Sequence, residues 1–200
     1  MTICFKFGRY QPPHIEHIYN IIKMLENPEC DQVVVGVVGF VKEYGEVLNR
    51  ENPLSLKKRL ELIEKSLYKT KYCNKLSLEG ILLKNILDPI IWIVNRWKKY
   101  NDKFEIYTSD IGEFFIYGLF SLLLRFAGIN ISVRYTKQRT ISASKIREMI
   151  ISGDNNWTKY VPLDELDKKQ IYYYVKIIKN MYSDHGEKGS KFLEKRAFIV

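Results

Sequence analysis

Two histidines, His14 and His17, are spaced three residues apart and follow a short apolar run, the pair Gly8-Arg9 and four further loop residues. The spacing predicts that both imidazoles lie on one face at the start of a helix. A helix start offers free backbone N–H groups and a partial positive charge, and imidazole donates hydrogen bonds near neutral pH. Such a group suits attack on the α-phosphorus of a nucleoside triphosphate, with pyrophosphate as the leaving group.

The alternative for these histidines is a capping role or a place in the core. A lone histidine would favour that interpretation. Here two of the chain's three histidines share one strand-to-helix loop, and this favours the phosphate site.

A second candidate group lies in the segment Ile141-Ser142-Ala143-Ser144-Lys145-Ile146-Arg147. Ser142 is predicted to cap or precede a helix, where hydroxyls and free N–H groups bind phosphate oxygens. Arg147 follows one turn later, in reach of the β- and γ-phosphates. Taken alone, the segment favours a capped helix with a surface arginine. Its functional interpretation depends on its occurring together with the histidine pair.

The elements that must position these residues alternate between apolar strands and amphipathic helices. Val33–Val38 is apolar on both faces, as expected when helices cover both sides of a parallel sheet. We therefore predict an α/β fold with a doubly wound, Rossmann-like parallel sheet of about five strands and helices on both faces. Ligands of such sheets bind beyond the carboxyl ends of the strands, so the loop after the first strand is the expected site. The predicted strands are Ile3–Phe7, Val33–Val38, Leu76–Leu83, Phe104–Thr108 and Ile129–Tyr135.

The predicted helices begin near His14–His17, after the N-cap Ser55, at Ile90, at Phe114, at Ser144 and at Leu166. Phe114–Leu124 is about half as long as a bilayer crossing requires, so it is predicted to be a buried helix. The last helix is expected over Leu166–Met181. We predict one nucleotide-binding domain over residues 1–182 and a charged tail over 183–200, loosely attached or docked on a neighbouring subunit.

The 200 residues, 46% hydrophobic and 28% charged, suit a globular chain with a proper core. We expect no signal peptide and a cytoplasmic location, without membrane association. The three cysteines are odd in number and far apart, which predicts reduced thiols and no protein-held metal site. A net charge of +9 suits a polyanionic small molecule. Because the basic residues form no stripe, no nucleic-acid partner is expected.

The motifs together resemble those of the HIGH-type nucleotidylyltransferase superfamily, and most closely the archaeal-type nicotinamide-nucleotide adenylyltransferases. The resemblance covers roughly Ile3 to Ile178 in order. It rests on five segments: Gly8-Arg9-Tyr10-Gln11-Pro12 with His14 and His17, Glu51-Asn52-Pro53-Leu54-Ser55 with Arg59, Trp92, Ile141-Ser142 with Ser144, Ile146 and Arg147, and Gly153 with Trp157, Val161 and Pro162.

The resemblance implies transfer of AMP from ATP to nicotinamide mononucleotide, giving NAD and pyrophosphate. His14, His17 and Arg147 would then be catalytic, and Mg²⁺ would be bound through the ATP phosphates. Trp92 and Asp110 would contact the acceptor. It also implies a homo-oligomer, since members of the family commonly form hexamers. The residues implied in ATP or phosphate binding are Gly8, Arg9, Tyr10, Ser142, Ser144 and Arg59.

The sequence departs from the family pattern at three places. Glu16 replaces a glycine between the histidines, Ala143 replaces a glycine between the two hydroxyls, and the acceptor region changes. In that region Ser109-Asp110-Ile111-Gly112 replaces a Ser-x-Asn-Pro segment, and Asn85 stands where an acidic residue is expected. Three alternatives follow: another phosphate acceptor such as a sugar, lipid-head or flavin phosphate, a paralogue that binds nucleotide without catalysis, and a nucleic-acid-binding module suggested by charge alone.

Overall fold

A computed structural model of the protein describes residues 1–42, 45–68, 73–84, 88–100, 102–136 and 141–185. Its strands are β1 Thr2–Gly8, β2 Gln32–Lys42, β3 Gly45–Glu46, β4 Leu76–Leu83, β5 Lys103–Thr108 and β6 Ile131–Tyr135. Its α-helices are α1 Ile15–Glu26, α2 Leu56–Leu67, α3 Asp88–Tyr100, α4 Ile111–Phe126, α5 Ala143–Ser152 and α6 Glu165–His185. Two 3₁₀ helices cover Cys73–Lys75 and Asn155–Tyr160.

Five of the strands form a parallel sheet. β2 pairs with β4 on one side and with β1 on the other, and β5 and β6 continue the sheet beyond β1. The predicted α/β fold with a parallel, doubly wound sheet is therefore confirmed. The sixth strand, β3, was not predicted. It is a two-residue antiparallel partner of Val41 and Lys42, too short for a periodic signal in a polar segment.

The order in which the chain adds strands to the sheet reverses at β1. After β1 it builds β2 and then β4 on one side, and it returns to place β5 and β6 on the other side. A reversal of strand order opens a crevice at the carboxyl ends of the two strands that flank it. The loop after β1 enters this crevice, as the sequence predicted.

The helix starts marked by Ser55 and Ser142 were predicted accurately. Helix α4 was not, since it begins at Ile111 after the cap Asp110, three residues before the predicted start at Phe114. Ser55 Oγ accepts a hydrogen bond from the backbone N–H of Lys58 at 3.3 Å, and Ser142 Oγ accepts one from that of Lys145 at 3.2 Å. The last helix is longer than predicted and runs to His185, past the proposed domain end at 182. Residues 186–200, the rest of the predicted tail, lie outside the described part of the chain.

Two predictions about apolar and sulfur-containing residues were wrong. Helix α4 is not buried: Ser121 is its one buried residue, and most of its large apolar side chains are exposed. Cys4 and Cys30 are not free thiols but form a disulfide, with their Cα atoms 5.7 Å apart. Parallel pairing of Cys4 with Val33 brings Cys30, just before β2, beside β1. Sequence spacing alone contains no sign of this proximity.

Among the helices described, none has the length and apolar character that a membrane crossing requires.

Candidate active site

The loop after β1 has a backbone that few residues other than glycine adopt. Tyr10 has a φ of 52°, in the left-handed region, and its side chain is buried. A Cβ atom at Gly8 would lie 2.9 Å from the Tyr10 ring, so a side chain at Gly8 would displace that ring. Such strain is found where a loop must present its backbone to a ligand. Gly8 and Tyr10 thus shape the loop that precedes the histidines.

The side chain of Gln11 holds this loop against the segment before α2. Its Nε2 atom donates to the Leu54 carbonyl at 2.8 Å, and its Oε1 atom accepts from the Leu54 N–H at 2.9 Å. Both hydrogen bonds are buried, so neither competes with water. Sequence reasoning assigned no role to Gln11, although the residue belongs to the first quoted motif.

The two histidines lie together at the start of α1. His14 is the N-cap residue and is fully buried, and His17 is also buried. Their ring centroids are 3.6 Å apart, and the ring of Tyr10 lies 4.8 Å from that of His17. The predicted common face is therefore present. The rings sit beside the free N–H groups of the first turn of α1, where an anion is favoured.

The late motif packs directly against the loop after β1. Arg147 Nη1 donates to the Gln11 carbonyl at 2.5 Å, and Arg147 Nη2 donates to Ser144 Oγ at 3.3 Å. Ser142 and Ser144 therefore stand at the start of α5, next to the histidine loop. Two segments separated by more than a hundred residues meet in one place, as the phosphate-site hypothesis requires.

Glu16 connects the same two segments. Its Oε1 atom accepts a hydrogen bond from the backbone N–H of Ile141 at 3.3 Å, across a separation of 125 residues. The glutamate that replaces the family's glycine thus contacts the residue just before the Ser142 cap. It also places an acidic side chain in the first turn of α1, where the helix dipole favours a negative charge.

Arginine side chains make this region positive. Burial, and then the neighbouring charge of Arg9, lowers the pKa of Arg147 from its ordinary value. Arg50 contributes in the same direction, whereas Glu51 and Glu148 oppose it. The Arg9 side chain is exposed and pairs with Glu51 at 3.6 Å. A buried arginine and an exposed arginine beside free N–H groups suit a polyphosphate.

Arg59 lies beneath this loop, with only 1% of its side chain exposed. Its Nη1 atom donates to the carbonyls of Arg9 and Val38 at 2.7 and 2.5 Å, and its Nη2 atom contacts Glu46 Oε1 at 2.5 Å. Burial lowers its pKa, and the Glu46 carboxylate opposes that shift. In this arrangement the guanidinium binds protein oxygens, so Arg59 supports the loop from below. Its partner Glu46 was missed because it lies in the unpredicted strand β3.

The predicted acceptor residues lie on the other side of β1 from the histidine pair. Trp92, half-buried on α3, contacts Phe5 and Phe7 edge-on, with ring centroids 5.3 and 5.9 Å apart. Asp110 is exposed and caps α4 by accepting from the Glu113 N–H at 3.0 Å. Asn85 lies outside the described residues.

Two carboxylates near the predicted phosphate site have protein partners. Glu16 accepts from Ile141, and Glu51 pairs with Arg9. Within the described ranges, one group with metal-ligand spacing exists: Cys4, Cys30 and Glu105. It includes the disulfide and lies toward the opposite end of β1.

No protein-family model matches the chain. Its sequence is similar to curated nicotinamide-nucleotide adenylyltransferases. It is 28% identical to that of Pyrobaculum neutrophilum over 162 residues, covering 78% of this chain and 80% of the relative. It is also 28% identical to that of Pyrobaculum arsenaticum over 160 residues, with the same coverage. The resemblance inferred from the motifs is confirmed.

Solved structures with the same fold include two adenylyltransferases. A bifunctional NMN adenylyltransferase/ADP ribose pyrophosphatase from Francisella tularensis superposes with a TM-score of 0.65 at 18% identity over 91% of this chain. This chain covers 54% of that longer protein. The nicotinic acid mononucleotide adenylyltransferase of Plasmodium falciparum, complexed with NaAD, gives a TM-score of 0.56 at 14% identity, covering 91% of this chain and 97% of that one.

Proposed function

We propose that this chain, which is similar in sequence to nicotinamide-nucleotide adenylyltransferases, transfers AMP from ATP to nicotinamide mononucleotide and forms NAD and pyrophosphate. The observation that carries the proposal is the hydrogen bond from Arg147 to the Gln11 carbonyl. It joins the late hydroxyl-and-guanidinium motif to the loop that presents the histidine pair. The motif prediction and the names of the curated relatives agree on this activity.

In the proposed reaction, a phosphate oxygen of the acceptor attacks the α-phosphorus of ATP. A new P–O bond forms, the bond from the α-phosphorus to the bridging oxygen breaks, and pyrophosphate carries away the electron pair. Such transfers depend on positioning and charge stabilisation more than on covalent chemistry by the protein. His14 and His17 would stabilise the transition state, and Arg147 would stabilise the charge on the leaving pyrophosphate.

The nucleotide would enter as the Mg²⁺ complex of ATP. Ser142, Ser144 and the first-turn N–H groups of α5 would hold phosphate oxygens, with exposed Arg9 closing over them. Gly8 and Tyr10 would let the backbone of the loop approach the nucleotide closely.

The acceptor would bind on the side of β1 where α3 and α4 begin. Trp92 is half-buried, with its ring perpendicular to those of Phe5 and Phe7. Arg96 Cζ lies over the Trp92 ring, 5.3 Å from its centroid, so the nicotinamide would stack on the indole by displacing this guanidinium or by using the other face. Asp110 is exposed at the start of α4 and is placed to contact the acceptor. A cytoplasmic location and a homo-oligomer complete the proposal.

Glu16 is compatible with this activity because its carboxylate has a structural role. By accepting from Ile141 N–H it holds the start of the late motif against the start of α1.

The experiment measures pyrophosphate and NAD formation from ATP, Mg²⁺ and nicotinamide mononucleotide. His17→Ala should lower turnover by about 10²- to 10³-fold, the usual cost of losing one transition-state donor. His185→Ala, the same substitution at the chain's third histidine, should leave turnover unchanged. Wild-type and His17→Ala protein with equal pyrophosphate release would refute the catalytic proposal.

The acceptor is tested separately by thermal unfolding with single mononucleotides. The true acceptor stabilises the native state most at a given concentration, because only binding to the folded chain shifts the equilibrium. Nicotinamide mononucleotide should raise the melting temperature more than flavin mononucleotide or a sugar phosphate. A larger shift with either of these would replace the acceptor and leave the chemistry at the α-phosphorus intact.

A further inference from the structure

The face of the sheet that carries α3 contains an arginine–carboxylate pair to which the proposed reaction assigns no role. Arg96 Nη1, on α3, donates to Oε1 of Glu79, on β4, at 2.5 Å. Ser77 Oγ donates to the same Glu79 oxygen at 3.2 Å. The Arg96 and Glu79 side chains are only 19% and 26% exposed, so water screens their attraction less than that of a surface pair. The Arg96 guanidinium is therefore anchored to the sheet.

The same guanidinium lies against the predicted stacking residue. Arg96 follows Trp92 by four residues, so both side chains lie on one side of α3. Arg96 Cζ is over the indole ring, 5.3 Å from its centroid, which is within the range of a cation–π contact. Phe5 and Phe7 contact the same indole with their rings perpendicular to it. Two aromatic rings of β1 and one cation thus hold the Trp92 side chain.

The order of residues along α3 shows that Arg96 supports Trp92 from inside the molecule. Helix α3 connects two strands of the parallel sheet, β4 and β5, so it runs back from the carboxyl ends of the strands toward their amino ends. Trp92 is about one turn from the start of α3 at Asp88, and it packs near Leu83, the last residue of β4. Arg96 is about two turns from that start. Arg96 is therefore farther from the crevice than Trp92 and acts on a ligand there through the indole.

The ion pair also indicates which face of the indole a ligand uses. Displacing the guanidinium would leave the partly buried Glu79 carboxylate without its cation, and breaking such a pair is costly. A ring that stacks on the opposite face of Trp92 leaves the pair intact. An indole that is already fixed also loses less rotational freedom when a ligand stacks on it, and this favours binding.

We propose that Arg96, held by Glu79, is a positioning residue that fixes the Trp92 indole, so that the aromatic ring of the acceptor stacks on the opposite face. This role rests on the proposed adenylyltransferase reaction. It adds to that reaction a preference for an acceptor with an aromatic base over a sugar phosphate without one.

The test compares Arg96→Ala with wild-type protein in NAD formation and in ligand binding. The KM for nicotinamide mononucleotide should rise about two- to fivefold, the size of one cation–π contact, while kcat and the KM for ATP stay unchanged. Quenching of tryptophan fluorescence by nicotinamide mononucleotide measures the same binding without turnover. Ribose 5-phosphate, which has no ring to stack, should shift the melting temperature of both proteins equally. A general distortion of the site would weaken the binding of both ligands.

An exchange of the two charges separates support of the ring from stability. Glu79→Arg/Arg96→Glu keeps an ion pair between α3 and β4, so it should recover most of the stability to urea that Arg96→Ala loses. It places a carboxylate beside the indole, so the KM for nicotinamide mononucleotide should stay raised. Arg134→Ala is the matched control, because Arg134 Nε also contacts a strand carboxylate, that of Glu105, at 2.7 Å, but lies on β6. Arg134→Ala should leave this KM unchanged.

Three results would overturn the role of Arg96 while NAD formation stands. An unchanged acceptor KM in Arg96→Ala, or a KM that recovers in the exchanged variant, would mean that the pair only ties α3 to the sheet. A lowered KM in Arg96→Ala would mean that the guanidinium competes with the acceptor for the ring. A wild type that is quenched by nicotinamide mononucleotide but forms no NAD would refute the proposed activity alone, and quenching of the variants would still test Arg96. A wild type that is neither quenched nor active would overturn both.

Discussion

The candidate site has a phosphate half, formed by the histidine loop and the start of α5, and an acceptor half, formed around Trp92 and Asp110. The two halves are built differently. In the phosphate half, side chains link distant segments: buried Arg147 donates to the Gln11 carbonyl, and partly buried Glu16 accepts from the Ile141 N–H. In the acceptor half, Trp92 packs against aromatic rings of the core, and Asp110 caps the helix that it precedes.

The difference follows from what each half must do. Stabilising charge that develops during phosphoryl-type transfer requires donors fixed in advance, because reorganisation would cost part of the gain. Recognition of an acceptor needs shape and a stacking surface, which one aromatic ring and a helix start can supply. We therefore expect substitutions in the phosphate half to affect folding and turnover together, and substitutions in the acceptor half to affect acceptor binding alone.

The largest effect is expected at the support beneath the loop. Arg59→Met would remove the guanidinium that Glu46 Oε1 and the carbonyls of Arg9 and Val38 accept from. Removing one partner of a buried ion pair costs about 3–5 kcal/mol, and we expect a loss of that size in the free energy of unfolding. Urea denaturation measures it. A variant with unchanged stability and a raised KM for ATP would instead make Arg59 a phosphate ligand.

A smaller effect on stability, with a large one on turnover, is expected at Arg147. Arg147→Lys keeps the charge but cannot reach both the Gln11 carbonyl and Ser144 Oγ. Turnover should fall by about 10²-fold, which corresponds to about 2.7 kcal/mol of transition-state stabilisation.

The matched control for this substitution is Arg125→Lys. Arg125 also donates to a backbone carbonyl, that of Ile131, but it lies on α4. Steady-state kinetics of both variants show whether the loss of turnover is specific to Arg147. Equal losses in the two would mean that the effect is general and not specific to the late motif.

Two variants of Glu16 separate the effect of its hydrogen bond to Ile141 from the effect of its charge. Glu16→Gly removes the acceptor for Ile141 N–H and puts glycine in the first turn of α1. It should cost about 1–2 kcal/mol of stability and lower turnover. Glu16→Gln keeps an acceptor and removes a negative charge beside a polyanion, so the KM for ATP should fall severalfold. Its cost in stability should be limited to the lost interaction with the helix dipole, about 0.3–1 kcal/mol. Higher turnover in Glu16→Gly than in wild type would show that the glutamate impairs the enzyme.

The smallest effect is expected in the acceptor half. Trp92→Leu should raise the KM for the acceptor by about tenfold, a loss of the size of one aromatic contact, and leave the KM for ATP unchanged. Trp92→Phe should recover most of the loss. A Trp92→Leu variant that loses ATP and acceptor binding equally would make this residue part of the core only.

The sequence predicted the elements that carry strong local signals. Strands apolar on both faces, helix starts marked by Ser55 and Ser142, and the place of the histidine loop all agree with the structure. The late motif was expected to meet that loop because ligands of doubly wound sheets gather at one edge.

What the sequence did not predict depends on contacts between distant residues. The Cys4–Cys30 disulfide arises from strand register, and the Arg59–Glu46 pair depends on a two-residue strand. The exposure of α4 was missed because the burial of an apolar run was inferred from its hydrophobicity alone, which does not say what packs against it.

The most direct test of the account is a crystal structure of this protein with Mg²⁺ and a non-hydrolysable ATP analogue. The triphosphate should lie between His17 on α1 and Ser144 and Arg147 on α5, within hydrogen-bond distance of both segments. A triphosphate bound elsewhere, or one that contacts only one of the two helix starts, would contradict the claim that these segments form one site.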